Sequence, residues 1–131
     1  MKNEMLKEAI KIIENAYVPY SKFRVAAVLK LKNGQTLTGV NVENASYGLS
    51  NCAERTALFH AYAQGYRKED IDKLLVYTDK EYFVSPCGAC RQVMNELLES
   101  DAEVIMANSK GDMKSVKNKD LLPFGFSSED L

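Results

Sequence analysis

Apolar side chains at Leu6, Ile10, Ile13 and Tyr17 recur at helical spacing, which predicts an amphipathic helix over roughly Glu4 to Ala16. The segment Val18-Pro19-Tyr20-Ser21 ends it. The run Val25-Ala26-Ala27-Val28-Leu29 then reads as a buried strand. Asn33-Gly34 predicts a type I′ hairpin, whose two central residues both take positive φ, leading into a second strand from about Gln35 to Val42. Asn41 to Asn51 reads as a polar loop. A helix is expected to start near Cys52, capped by Ser50 or Asn51, and to stop before Gly65. Lys73 to Thr78 forms a third strand, and Glu81 to Pro86 a loop whose proline suits a helix start. Cys87 to Leu98 reads as the next helix, with Val93, Leu97 and Leu98 on its apolar side. Glu103 to Ala107 is a fourth strand. Lys110-Gly111-Asp112 turns the chain into a fifth near Met113 to Val116, and Asn118 caps a last short helical turn before Pro123. The order is α-β-β-α-β-α-β-β-α. Strands joined through helices imply parallel pairs and the hairpin an antiparallel one, so the expected fold class is α/β, a three-layer α/β/α sandwich with a five-stranded mixed sheet.

The 131 residues fit a single domain, 1–131, with room for a hydrophobic core, and show no linker, repeat or low-complexity segment. With 17 basic and 18 acidic side chains the net charge is −1, which lacks the footprint of a chain that grips nucleic acid through phosphates. No apolar run is long enough to cross a bilayer, so no membrane partner is expected. Met1 to Lys11 lacks the apolar middle of a secretory signal, and a cytoplasmic location is expected. Cys52, Cys87 and Cys90 form an odd set, which in a reducing compartment suits metal ligands or reactive thiols better than disulfides.

Two short pieces carry the chemistry: Cys52-Ala53-Glu54 and Pro86-Cys87-Gly88-Ala89-Cys90. Both fall at predicted helix starts, where partial positive charge and free N–H groups favour thiolates. Three thiolates from two adjacent helix starts suit one tetrahedral Zn²⁺. The single histidine, His60, lies eight residues beyond Cys52 on the same helix. That is a rise of about 12 Å, too far to share the metal. The fourth position therefore falls to an acidic side chain or to water, and an open, water-bearing position marks a catalytic zinc. Glu54, two residues after a ligand, is placed to take a proton from that water and pass it on. By itself it would be read as complementing the helix dipole. Three thiolates leave the zinc site with net charge −1, which Arg55 offsets if it donates to the ligand sulfurs; the alternative is a surface arginine. Arg91 is a weaker candidate for the same task.

These motifs match the zinc deaminase signature, in which a Cys- or His-x-Glu precedes Pro-Cys-x-x-Cys. Beyond them, nearly the full chain resembles the homotetrameric zinc-dependent cytidine deaminases. The resemblance runs through Tyr20-Ser21-Lys22-Phe23, Asn41-Val42-Glu43-Asn44-Ala45-Ser46-Tyr47, Asn51-Cys52-Ala53-Glu54-Arg55-Thr56-Ala57 and the tail Leu121-Leu122-Pro123 with Phe126. It implies one Zn²⁺ per subunit on Cys52, Cys87 and Cys90, and hydrolytic deamination of cytidine and deoxycytidine to uridine and deoxyuridine plus ammonia in pyrimidine salvage. Glu54 would be the proton shuttle beside a zinc-activated water. Asn41 and Glu43 would bond the sugar 3′-hydroxyl, Phe23 would pack on the pyrimidine, and the Ala53 N–H and a carbonyl near Ser85 would address the base edge. Tyr47 would belong to a subunit contact around the site. Phe126 would reach a neighbouring subunit's pocket in a homotetramer whose sites neighbours complete; Phe124 is the alternative. Ala26 stands where the family usually has glycine. A related deaminase acting on a nucleoside antibiotic, a nucleotide or an RNA base is a rival reading. Asn41-x-Glu43 argues against the first, a carboxylate beside the sugar against phosphate, and near-neutral charge against RNA. A thiol redox protein using Cys87-Gly88-Ala89-Cys90 is a second rival, but leaves Cys52-x-Glu54 without purpose. A closed structural zinc domain is a third.

Overall fold

The computed structural model describes residues 2–131. Its sheet is built around β1 (Val25–Leu31), flanked by β2 (Thr36–Val40) and β3 (Ile71–Thr78), both antiparallel to it. β4 (Glu103–Ala107) runs parallel to β3, and β5 (Met113–Lys117) antiparallel to β4, completing the order β2-β1-β3-β4-β5. β3 and β4, joined through α3 (Gly88–Leu97), are parallel neighbours. β2 and β3, joined through α2 (Ala53–Ala63), also run the same way but with β1 between them, so that helix crosses over an intervening strand.

Strand alternation decides which layer each residue meets. Val25, Ala27, Leu29 and Leu31 share a core with Ala57, Leu58 and Ala61 of α2 and Cys90 and Met94 of α3. Ala26 and Val28 point to the opposite face, where they meet Met5, Ala9 and Ile13. The first two belong to α1 (Lys2–Ile12), and Ile13 opens a 3₁₀ turn that extends it to Asn15. The result is the expected α/β/α sandwich with a five-stranded mixed sheet. Of the predicted apolar stripe, Ile13 is buried and Leu6 packs partly buried against the same core, whereas Ile10 and Tyr17 are exposed. Met5 and Ala9 are buried in addition, because Met5, Ala9 and Ile13 follow one another four residues apart and share the face turned to the sheet.

Several local expectations are corrected. The hairpin is not type I′: only Gly34 takes a positive φ, 94°, and Asn33 does not. Gly34 N donates to Leu31 O at 3.0 Å and Leu31 N to Gln35 O at 2.9 Å, so the loop spans three residues with the glycine closing it. The N-cap of α2 is Cys52 itself, not Ser50 or Asn51, and Cys52 makes no side-chain cap bond. Asn118 does not cap the last helical turn. It is buried and its Nδ2 donates to Met94 O at 2.9 Å and Glu99 O at 3.3 Å, closing the carbonyl end of α3.

Gly39 of β2 lies directly beneath α2. A Cβ there would stand 2.5 Å from Ala57 N and 2.6 Å from Ala53 O, both helix backbone. Helix and strand therefore meet at a separation only glycine permits. Gly39→Ala is expected to destabilise the fold by about 1–3 kcal/mol through overpacking and to displace the start of α2. Thermal denaturation checks this, and an unchanged Tm would mean that the helix can lift without cost.

Candidate active site

Cys52 and Cys87 occupy the N-cap positions of α2 and α3, with extended backbone (φ −77°, ψ 157° and φ −68°, ψ 168°). Cys90 sits in the first turn of α3 and is fully buried. The sheet holds both helices on one face with their positive ends converging. The Cys52 and Cys87 sulfurs are 3.7 Å apart, and all three sulfurs lie within 4.8 Å of one another. A tetrahedral zinc with Zn–S bonds of about 2.3 Å needs sulfurs about 3.8 Å apart. A disulfide needs about 2.0 Å, and the three cysteines are free. Among the described residues no fourth His, Cys, Asp or Glu joins the cluster. His60 is exposed on α2 and pairs instead with Gln64 (2.7 Å). The donor set therefore fits zinc with one position left over.

The surroundings favour thiolate at Cys52. Cys52 is pushed down to about 5, first by the Cys90 thiol and then by Arg55. Cys90 moves upward, because it is the donor to Cys52 and is buried. Arg55 Nη2 donates to Cys52 Sγ at 3.4 Å, and this bond raises its own pKa further. Its Nε is buried without a partner, so the guanidinium is held by the sulfurs rather than by a competing carboxylate. Glu54 is 4% exposed. Burial pushes it up to about 7, and the negative Cys52 adds to the shift. A buried carboxyl beside an open metal position is suited to proton transfer. Arg55→Gln, which keeps a donor but removes the charge, is expected to lower turnover about 10–100-fold with zinc still bound. Unchanged turnover at full zinc occupancy would remove Arg55 from any electrostatic part in the reaction.

A cavity of about 250 Å³ opens before the sulfurs, lined by Phe23, Asn41, Glu43, Ala53, Glu54 and Ser85 among others. It adjoins a wider depression of about 750 Å³ that shares Asn41, Glu43, Cys52 and Cys87 and includes Tyr47 and Arg55. The structure thus brings together all the predicted residues except Phe126. Phe23 is partly buried and stacks on Tyr82, with ring centroids 6.3 Å apart. Asn41 spans the strand start, accepting from Val25 N at 2.9 Å and donating to Phe23 O at 2.8 Å, which leaves one N–H and one lone pair over. Glu43 accepts from the Tyr20 and Ser21 amides, both at 3.1 Å, and from the Ser21 hydroxyl. The Ser21 hydroxyl, then the two amides, hold its carboxyl below the ordinary value. Tyr47 is 90% exposed on the outer lip. Phe126 is exposed on the C-terminal segment, its carbonyl held by Gln92 Nε2 at 2.9 Å and Asn95 Nδ2 at 3.0 Å.

Arg91 makes none of its hydrogen bonds to the sulfurs. Its Nε donates to Pro86 O at 2.7 Å, its Nη1 to Leu121 O at 2.9 Å, and its Nη2 to Ser85 Oγ. Its side chain leaves the helix about 100° around from that of Cys90, toward Pro86 and Leu121 rather than toward the sulfurs. There it clamps the Ser85–Pro86 loop to the C-terminal segment. Gly39 and Ser21 are the residues the sequence left unassigned. A lone glycine inside a strand pattern is the available signal for the first, and nothing local signals the second.

The comparisons agree with this geometry. The family model for the cytidine and deoxycytidylate deaminase zinc-binding region matches residues 1–107. The cytidine deaminase of Halalkalibacterium halodurans is 51% identical over 127 residues, covering 97% of this chain and 95% of the relative. That of Sporosarcina psychrophila is 46% identical, covering 98% and 93%. The crystal structure of cytidine deaminase from Burkholderia pseudomallei superposes with a TM-score of 0.92 at 46% identity, covering 96% of this chain and 99% of that one. The Mycobacterium tuberculosis cytidine deaminase structure gives 0.78 at 33% identity, with 95% of each chain covered. The chain belongs to the cytidine and deoxycytidylate deaminase family. Its cofactor is zinc, and Cys52, Cys87 and Cys90 form a cluster able to hold it.

Proposed function

We infer that this chain is a cytidine deaminase, hydrolysing cytidine and deoxycytidine to uridine and deoxyuridine with release of ammonia. One observation carries the reading: three sulfurs at tetrahedral spacing leave one position free beside a buried carboxyl, Glu54. Zinc bound there supplies the Lewis acidity that makes water nucleophilic at neutral pH. Glu54 accepts the proton given up by the attacking water, delivers it to ring N3, and then moves a proton to the amino group at C4, which departs as ammonia. Water and cytidine thereby account for every atom of uridine and ammonia.

The remaining assignments are part of the same reading. Phe23 packs on the pyrimidine, and Asn41 and Glu43 meet the sugar 3′-hydroxyl. The Ala53 N–H and a carbonyl near Ser85 address the base edge. All five residues line the small cavity, which supports this arrangement. Arg55 offsets the thiolate charge. The chain acts as one domain over 1–131, in the cytoplasm, in pyrimidine salvage. Three free cysteines suit that compartment, and no helix among the described residues is long and apolar enough to cross a membrane. The enzyme assembles as a homotetramer in which Tyr47 contributes to a subunit contact and Phe126 reaches a neighbour's site. Exposed Tyr47, Leu49, Phe124 and Phe126 support burial against further copies.

The test is loss of cytidine absorbance before and after dialysis against a zinc chelator, with cytosine, deoxycytidine and CMP run alongside. Turnover of both nucleosides that vanishes with zinc and returns on its addition is expected. Persistent turnover without zinc, or none at full zinc occupancy, overturns the assignment. Light scattering giving the mass of a single chain would overturn the tetramer.

A further inference from the structure

We propose that Ser21 is a positioning residue that fixes the Glu43 carboxylate toward the sugar and, through the same hydroxyl, ties it to the backbone of Phe23. The proposal rests on the reading that Glu43 meets the 3′-hydroxyl. Glu43 lies past the end of β2, on a segment whose backbone is held by bonds such as Glu43 N to Tyr17 O (2.9 Å) and the neighbouring Val42–Asn51 pair, none of which fixes the Glu43 side chain. No arginine or lysine salt bridge among the described residues orients its side chain. A partly exposed glutamate in that position has free rotamers unless something holds it, and a binding group gains most when its geometry is set in advance.

The turn at Tyr20-Ser21 does the holding. Both of its amides donate to Glu43 Oε1 (3.1 Å each), and the Ser21 hydroxyl donates to Oε2. The two carboxylate oxygens are thus fixed by one turn: Oε1 accepts two bonds, and Oε2, which accepts one, retains a lone pair for a ligand. The Ser21 oxygen also accepts from Phe23 N at 3.0 Å. One side chain therefore links the sugar-side carboxylate to the residue proposed as the base platform. The turn is closed by Lys22 N to Val18 O at 3.0 Å, with Lys22 at φ 60°, a left-handed conformation that a lysine rarely adopts. Such a conformation persists where surrounding bonds over-determine it, as the bonds to Glu43 do here.

The experiment compares cytidine with 3′-deoxycytidine, which lacks only the hydroxyl at issue, in wild-type enzyme and in Ser21→Ala, Ser21→Thr and Glu43→Ala at full zinc occupancy. Glu43→Ala is expected to remove most of the preference for cytidine, leaving the share that Asn41 supplies. Ser21→Ala is expected to reduce the ratio of the two kcat/KM values about tenfold, mainly through KM for cytidine, as for loss of one charge-assisted hydrogen bond. Ser21→Thr, which keeps the hydroxyl, is expected to restore it. A general structural defect lowers both substrates alike and leaves the ratio unchanged, and that outcome overturns the proposal. If Ser21→Ala does not fold, Ser21→Gly removes the same hydroxyl and is read the same way. Full discrimination remaining in Glu43→Ala would instead overturn the sugar contact itself, and this inference with it. Loss of the ratio in Glu43→Ala but not in Ser21→Ala overturns this inference alone.

Discussion

Glu54→Gln is expected to retain the fold and a full complement of zinc while losing turnover by about 10²–10⁴-fold or more, the range associated with a positioned acid–base group. Gln matches Glu in shape, and at this site the side chain is buried at 4% exposure, so packing is preserved. The sulfurs make up the ligand set without it, so metal affinity should survive. What disappears is the only buried carboxyl beside the metal position among the described residues, and with it the means of moving a proton from water to N3 and then to the leaving amine. Metal analysis together with cytidine turnover separates these effects. Substantial turnover in the zinc-loaded variant would refute Glu54 as the shuttle. Loss of zinc along with activity would recast it as part of the metal site.

The second large effect concerns Cys90. It is the one ligand that is also a core residue, fully buried against the sheet side of α3 with Val25, Ala27 and Met94. Cys90→Ala removes a ligand and leaves two sulfurs, too few to hold zinc tightly where, among the described residues, no further His, Cys, Asp or Glu joins the cluster. Altering a group that merely orients a ligand already costs about 10–100-fold in affinity, so loss of a ligand should weaken zinc binding by more than about 100-fold. Activity should then fall below detection, and the Tm should drop because bound metal no longer favours the folded state. Cys87→Ala should lose zinc to a similar degree with less harm to the apo fold, since Cys87 is exposed. Zinc stoichiometry and melting with and without chelator check both variants. Stoichiometric zinc in Cys90→Ala would remove that sulfur from the ligand set.

Residue by residue, legibility followed how local each feature is. The strands from Val25, Lys73 and Glu103 were readable because runs of apolar and β-branched residues are a local property, and each lies within an observed strand. The turn at Asn33-Gly34 was placed correctly and given the wrong geometry. The dipeptide suits two turn types, and Lys32 N bonding to Asp70 O at 2.8 Å helps hold the longer loop. The face of α1 is legible only in part: Leu6 and Ile13 pack toward the sheet as their spacing suggests, whereas Ile10 turns outward and Met5 and Ala9 complete the buried face, a choice periodicity alone does not make. Asn118 reads locally as a cap, but its partners, Met94 and Glu99, lie 24 and 19 residues earlier in the chain. Arg91 was paired by proximity in sequence with Cys90, but the helix turns it toward Pro86 and Leu121.

The chain's own order of residues determined the chemistry: which atoms can bind metal, that His60 stands too far along its helix to share it, and that an acid follows the first ligand by two positions. Those are matters of covalent spacing and helical rise, and they hold wherever the segments lie. Only the tertiary structure decided that two helix starts 35 residues apart meet with their sulfurs 3.7 Å apart, that Glu54 loses its water, and that a turn near Ser21 grips a carboxylate 22 residues away. These depend on distances through space, which follow from the packing of α2 on a glycine of β2 and from a sheet that brings distant strands side by side.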